Sequence, residues 1–106
     1  MGSKAVLEEL LLSWPGVTSG PHRFGGIEFV VNGKEIGHLH GDRLMDLLLP
    51  KAKRDEAVTT GKAKSHHILP ESGWVSVYLN TEDDLAHAIE LLRFNYERFA
   101  QGDAVS

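Results

Sequence analysis

The sequence predicts an α+β fold in which a mostly antiparallel sheet of about five strands carries helices on one face. Apolar residues recur at helical spacing near both ends of the chain, and strand-like segments fill the middle. The connections between these strands are too short for the crossovers of a parallel sheet. A chain of 106 residues can bury one hydrophobic core, so we expect a single domain over residues 1–106 with a core of about 4–100.

The clearest local signal is the pair Asn32-Gly33, because both residues tolerate the positive φ that a two-residue type I′ turn requires. We therefore predict a hairpin that joins strands over 26–31 and 34–40. In a regular register, Glu28 falls on the more polar face of this hairpin. The more apolar face then carries Ile27, Phe29, Val31, Ile36, His38 and His40.

The other elements follow from apolar patterns and from turn residues. Pro50 suits the first turn of a helix, and Gly61 suits the position just after its end. The predicted order is helix, three strands, helix, two strands, helix. Besides the hairpin, the elements are a helix over 4–13, a loop over 18–22, a strand over 44–49, a helix over 50–60, strands over 64–69 and 74–79, and a long helix that begins after Thr81.

Four of the six histidines form two close pairs, His38 with His40 and His66 with His67, each within a predicted strand. Because strand side chains alternate between faces, His38 and His40 point to the same side of the sheet. Two pairs of imidazoles in so small a domain indicate a site. One interpretation is a transition-metal ion held by His38 and His40, with His67 completing the set, since Glu28 on the opposite face could join only if the strand contained a bulge. A metal-free acid–base site and purely structural histidines are the alternatives.

In the acid–base interpretation, His38 is the base, and His40 and His67 orient the substrate. Burial lowers the pKa of an imidazole and keeps it neutral near pH 7, as a base requires. The ligand would be a small aromatic or enolic molecule that gives up a hydroxyl proton. On this interpretation we expect no cofactor. The remaining histidines, His22 and His87, are expected at the surface.

Composition excludes several classes of function. The absence of cysteine excludes disulfides, thiolate metal sites and cysteine nucleophiles, and it fits a cytoplasmic protein. The net charge of −4 argues against a nucleic-acid partner, and no apolar run is long enough to cross a membrane. The partner that the acid–base interpretation implies is a small-molecule ligand. The alternative is a non-catalytic binding or interaction module, in which the polar face of the sheet pairs with a partner such as a second copy in a homodimer.

Five segments of the chain resemble the small bacterial proteins known as luciferase-domain or DUF5519 proteins, which are related to fungal luciferase. The segments are 34–40, 46–49, 61–70, 73–78 and 91–96. The fungal enzyme oxidises a hydroxylated luciferin with molecular oxygen and without a known metal. The resemblance therefore implies oxygen-dependent chemistry on a small aromatic or enolic ligand. A fainter similarity to the YjbR-like fold implies the same α+β architecture.

The resemblance also implies site residues. Positions that match the fungal pattern are Glu35, Ile36, His38, His40, Val58, Gly61, His67, Trp74 and Tyr96. From this pattern we predict that His38, His40 and His67 are catalytic and that no metal is bound. The predicted ligand contacts are Glu35, Trp74 and Tyr96, which match the pattern, and His66, which departs from it because the fungal enzymes resemble one another in having arginine there.

Overall fold

The computed structural model describes residues 2–22, 25–65 and 73–105, and over these residues it has the predicted α+β architecture. The described part of the chain contains three helices and one six-stranded sheet. The elements are α1 (Ser3–Leu12), β1 (Thr18–Pro21), β2 (Ile27–Val31), β3 (Lys34–His40), β4 (Leu44–Leu48), α2 (Lys51–Thr59), β5 (Lys64–Ser65), β6 (Trp74–Tyr78) and α3 (Glu82–Val105).

The strands are ordered β1-β2-β3-β4-β6-β5, and every pairing is antiparallel. The segment 18–22, predicted as a loop, supplies the additional edge strand β1, which pairs with β2. Its residues, Thr-Ser-Gly-Pro, have little strand propensity, but an edge strand tolerates proline because one row of its backbone groups faces solvent. The rest of the strand predicted over 64–69 lies outside the described residues after Ser65.

One face of the sheet packs against the helices and forms the core. Leu7 and Leu11 of α1 and Leu91 and Leu92 of α3 are fully buried in it. The sheet contributes Phe29, Val31, Ile36, Leu39, Met45, Leu47, Val75 and Val77. The apolar residues of β4 and β6 therefore alternate with residues on the other face, as a half-buried antiparallel sheet requires. Among the described residues, no helix combines the length and the apolar character needed to cross a membrane.

The β2–β3 hairpin contains a β-bulge that the sequence did not reveal. Near the turn, Val30 pairs with Glu35 as predicted, and Asn32 has the expected positive φ of 51°. Beyond the bulge, Phe29 lies opposite Gly37, so Ile36 is an extra residue in β3. Pairing from this point onward is shifted by one residue.

The shift reverses the predicted faces of β3. His38 pairs with Glu28, and Leu39 pairs with Ile27. Leu39 is therefore in the core, whereas His38 and His40 share the opposite side of the sheet. The prediction that the two histidines lie on the more apolar face is wrong, because a one-residue slip moves every following side chain to the other face. That they share a face is correct.

Asn95 of α3 holds the bulged strand against the helix. Its side chain is fully buried, and its Nδ2 donates to the carbonyl oxygens of Ile36, at 2.9 Å, and of Leu48, at 3.0 Å. Its Oδ1 accepts a hydrogen bond from Nε of Arg98 at 2.8 Å. Because Ile36 is the extra residue of the bulge, Asn95 gives its carbonyl group a partner on α3.

Gly37 allows α3 to approach the bulge, so Gly37→Ala should destabilise the fold. An added Cβ would lie 2.8 Å from the Leu92 side chain and 3.1 Å from the carbonyl oxygen of Asp46. We expect the free energy of unfolding to fall by about 1–3 kcal/mol, as for other overpacked cores. The measurement is urea denaturation. The control is Gly20→Ala in β1, where a Cβ meets nothing within 4 Å; an equal loss in both variants would contradict the assignment.

Candidate functional site

The side of the sheet that faces away from the helices carries a row of polar residues, one from each of five strands. The pairing register aligns Glu28 of β2 with His38 of β3, Asp46 of β4, Ser76 of β6 and Lys64 of β5. We call this side of the sheet the histidine face. Sheet pairing, and not proximity in the sequence, brings these groups together.

Asp46 is the centre of the row. It is only 2% exposed, although it lies in the otherwise apolar strand β4. Its Oδ1 accepts a hydrogen bond from Oγ of Ser76 at 2.6 Å. Its Oδ2 lies 3.3 Å from Nε2 of His40 and 3.6 Å from Nε2 of His38. One buried carboxylate thus faces two imidazoles and a hydroxyl group.

His38 is buried among a carboxylate and aromatic rings. Its Nδ1 lies 2.8 Å from Oε2 of Glu35, three residues earlier in the same strand. The His22 ring stacks on it with centroids 3.9 Å apart, and the Trp74 ring lies 5.5 Å away. We call His22, Glu35, His38, His40 and Asp46 the histidine cluster. The prediction that His22 is a surface residue is wrong, because its side chain is only 9% exposed and its Nε2 lies 3.4 Å from Oε1 of Glu35.

The two carboxylates determine the charge of His38. Burial alone would lower the pKa of its imidazole, but Asp46 and Glu35 act in the opposite direction and raise the pKa from 6.5 to about 9. His38 is therefore protonated at neutral pH. This corrects the prediction of a neutral, burial-depressed base: the sequence reasoning included the desolvation of the ring and omitted its acidic neighbours.

His40 lies at the accessible side of the cluster. Its side chain is 35% exposed, whereas the side chains of His38 and Asp46 are 9% and 3% exposed. Its ring meets that of His38 edge to face, with centroids 4.7 Å apart. Among the described histidines of the cluster, His40 is thus the one that a molecule approaching from solvent can contact most readily.

The predicted site residues are only partly brought together. Glu35, His38, His40 and Trp74 meet on the histidine face. Tyr96 is instead part of the core: its hydroxyl group donates to the carbonyl oxygen of Pro15 at 2.8 Å, and its ring lies 5.2 Å from Trp14. The other two predicted residues, His66 and His67, lie outside the described residues.

Sequence reasoning missed Asp46, Ser76 and His22. A signal for Asp46 was present, since a carboxylate in the middle of the apolar run Leu44–Leu48 must find a partner if the strand is buried. Nothing local identified the other two. They reach the cluster through the pairing of β4 with β6 and through the chain that follows β1.

The histidine cluster contains two sets of residues whose ligand atoms are close enough to hold a metal ion. One set is His22, Glu35 and His38, and the other is His38, His40 and Asp46. In each set the ligand atoms lie within 4.8 Å of one another. Each set offers two imidazoles and one carboxylate, a combination that suits zinc and iron(II).

A cleft of about 510 Å³ lies elsewhere in the described structure. None of the residues of the histidine cluster lines it. The cleft lies between the end of β4, the start of α2 and the later part of α3, and it is lined by Leu48, Leu49, Pro50, Lys51, Arg54, Asp55, Gly73 and Arg98.

The charge on His38 predicts how stability depends on pH. The raised pKa contributes stability that is fully present below pH 6.5 and is lost as the pH rises through about 9. We expect the free energy of unfolding to fall by up to about 3 kcal/mol over that interval. Urea denaturation from pH 6 to 10, with a chelator present, tests this.

Two variants separate His38 from other titrating groups. Glu35→Gln removes a neighbouring carboxylate and should reduce the fall, whereas Glu9→Gln, at an exposed position of α1, should leave it unchanged. The midpoint for His38 can also be read directly from the NMR signals of its ring. A midpoint near 6.5 in the unmodified protein would contradict the charged state.

A family model described as Luciferase domain matches residues 33–95, which is more than half of the chain. The matched region begins at the turn of the β2–β3 hairpin and ends at Asn95 on α3. It contains Glu35, His38, His40 and Asp46 but not His22. Neither the curated proteins nor the solved structures gave a match.

Proposed function

Because this chain belongs to the Luciferase domain family, we propose that its histidine face binds a small aromatic or enolic compound and promotes its reaction. The compound carries an ionisable hydroxyl group, and the reaction is an oxidation by molecular oxygen or an acid–base conversion. In this proposal the protein acts in the cytoplasm, as its cysteine-free sequence suggested.

The observation that carries the proposal is the burial of Asp46. Its carboxylate is 2% exposed and has two imidazoles and a hydroxyl group as neighbours. Such a network is not needed for stability, since apolar residues of similar size at the same positions would stabilise the fold at least as well. It also lies on the face of the sheet away from the hydrophobic core. A functional role explains a buried, charged cluster at that place.

The surroundings of the cluster favour a flat, partly apolar ligand. Trp74 borders His38, and two exposed apolar side chains lie on the same face, Leu48 at 44% and Tyr78 at 38% exposure. Apolar surface beside a few polar groups is the usual composition of a small-molecule site. An aromatic ring can pack on this surface while its hydroxyl group reaches the cluster.

The roles of the histidines follow from their exposure. His40 is the residue that we assign to direct contact with the ligand, since its ring is the most accessible. We assign His38 to positioning the cluster, because a carboxylate already lies beside each of its ring nitrogens. Glu35 lies beside Nδ1, and Asp46 lies beside Nε2. The proposal retains His67 and His66 as predicted site residues. It does not include Tyr96, whose hydroxyl group already bonds to Pro15.

A second candidate function is a non-catalytic interaction module. The exposure of Leu48 and Tyr78 on the histidine face favours it, because apolar side chains on one side of a sheet also suit a protein partner. A homodimer that covers this face is the simplest form. A change of mass with concentration in light scattering, abolished by Tyr78→Ser, would support the module.

The test of the small-molecule proposal is a binding screen of hydroxylated aromatic and enolic compounds. We expect the double variant His38→Ala, His40→Ala to bind a hit at least about tenfold more weakly, because direct contact and the organisation of the cluster are both lost. His87→Ala on α3 is the matched control and should bind normally. Equal affinities for all three proteins would favour the interaction module.

A further inference from the structure

The geometry points to a binding site for one divalent transition-metal ion at His38, His40 and Asp46. The ligand atoms are Nε2 of each histidine and Oδ2 of the aspartate. This site goes beyond the proposed function, because it can be loaded and measured without any organic ligand. It rests only on the contacts of the histidine cluster.

The distances within the set fit an ion better than they fit hydrogen bonds. Oδ2 of Asp46 lies 3.3 Å from Nε2 of His40 and 3.6 Å from Nε2 of His38. A hydrogen bond between such atoms is about 2.9 Å long, and 3.6 Å is beyond its range. Around an ion with bonds of about 2.1 Å, neighbouring ligand atoms are about 3.0–3.4 Å apart. Small movements of the rings therefore suffice to bind it.

The groups that surround the three ligands hold them in position. Nδ1 of His38 pairs with Oε2 of Glu35 at 2.8 Å, which leaves Nε2 directed at Asp46. Oδ1 of Asp46 accepts a hydrogen bond from the Ser76 hydroxyl group at 2.6 Å, which orients the carboxylate so that Oδ2 faces His38 and His40. Metal-bound histidines and carboxylates characteristically have such partners on their other atoms, and these partners fix the orientation of the ligands.

The same contacts decide between the two sets of ligands in the cluster. In the set of His22, Glu35 and His38, the separation of 2.8 Å between Nδ1 of His38 and Glu35 is that of a good hydrogen bond. We therefore assign Glu35 to the support of His38 and not to the ion. Asp46, which is more deeply buried, is the carboxylate that binds it.

The charge of the cluster favours a cation. Glu35 and Asp46 place two carboxylates around one buried ring, and Asp46 is almost fully removed from solvent. Without an ion, the proton on His38 supplies the positive charge beside Asp46. When a divalent ion binds, Nε2 of His38 releases this proton to solvent, and the ion takes over the compensation of the buried carboxylate at short range. The donor set of two imidazoles and one carboxylate suits zinc, cobalt or iron(II) rather than calcium or magnesium, which prefer oxygen donors.

The exposure of His40 leaves one side of the ion accessible. Three protein ligands do not complete a coordination sphere, so the remaining positions take water or an oxygen of a bound molecule. If the proposed function is correct, the hydroxyl group of the aromatic or enolic ligand occupies one of them. Its proton is then released to solvent, and the ion stabilises the resulting anion. This last step rests on the proposed function, but the metal site itself does not.

The experiment titrates untagged, chelator-treated protein with Co²⁺ and with Zn²⁺ and no organic compound. We expect one ion per chain by calorimetry and visible absorption bands for bound Co²⁺. NMR ring signals of His38 and His40 should broaden with Co²⁺, whereas those of His87 on α3 should not. His40→Ala and Asp46→Asn should each weaken binding at least about tenfold, since the first removes a ligand and the second replaces a carboxylate with a neutral and weaker amide oxygen. His87→Ala is the matched control.

The outcomes separate the site from its alternatives. No binding of either ion, or binding that both ligand variants retain, overturns the site. Equal weakening in His87→Ala indicates adventitious binding by surface histidines and also overturns it. If Asp46→Asn is unfolded by circular dichroism, His40→Ala decides alone, because its exposed ring can be removed with little effect on the fold. A failed ligand screen with intact Co²⁺ binding would refute only the proposed function.

Discussion

The arrangement of this domain depends on the β-bulge at Ile36 and Gly37 and on the Asn95 amide that secures it. Without the extra residue, His38 and His40 would point into the hydrophobic core beneath the helices. With it, they face Asp46 on the other side of the sheet. The Asn95 amide bonds to Ile36 from a fully buried position on α3, so the helix that completes the core also holds the strand that carries the histidines.

The sheet thus has two faces with different physical roles. One buries leucine, valine and phenylalanine side chains against the helices and accounts for most of the stability. The other buries charge: Asp46 and His38 are nearly inaccessible, and each has neighbours of complementary character. Compared with apolar residues of similar size, charged clusters of this kind add little stability, because the cost of desolvating the charges offsets their attraction. Their presence on the face without the core is the observation on which the proposed function rests.

Much of the fold could be predicted because its signals are local. The Asn32-Gly33 turn, the apolar stripe of α1 and the glycine that follows α2 each depend on neighbours in the sequence. The edge strand β1 and the bulge could not, since both are decided by what packs or pairs with them. The same distinction applies to the site. The spacing of His38 and His40 is a local signal that is visible in the sequence, whereas Asp46 and Ser76 reach them only through strand pairing across the sheet.

The sequence by itself determined that two imidazoles share one side of a strand in a small α+β domain, because alternation in a strand is a property of the backbone alone. Only the tertiary structure decided which side that is. The extra residue Ile36 reverses the faces of β3. Its carbonyl group has its partner in Asn95 of α3, 59 positions further along the chain. The charge of His38 was likewise decided by carboxylates brought to it by folding, since a pKa reflects neighbours in space and not neighbours in the chain.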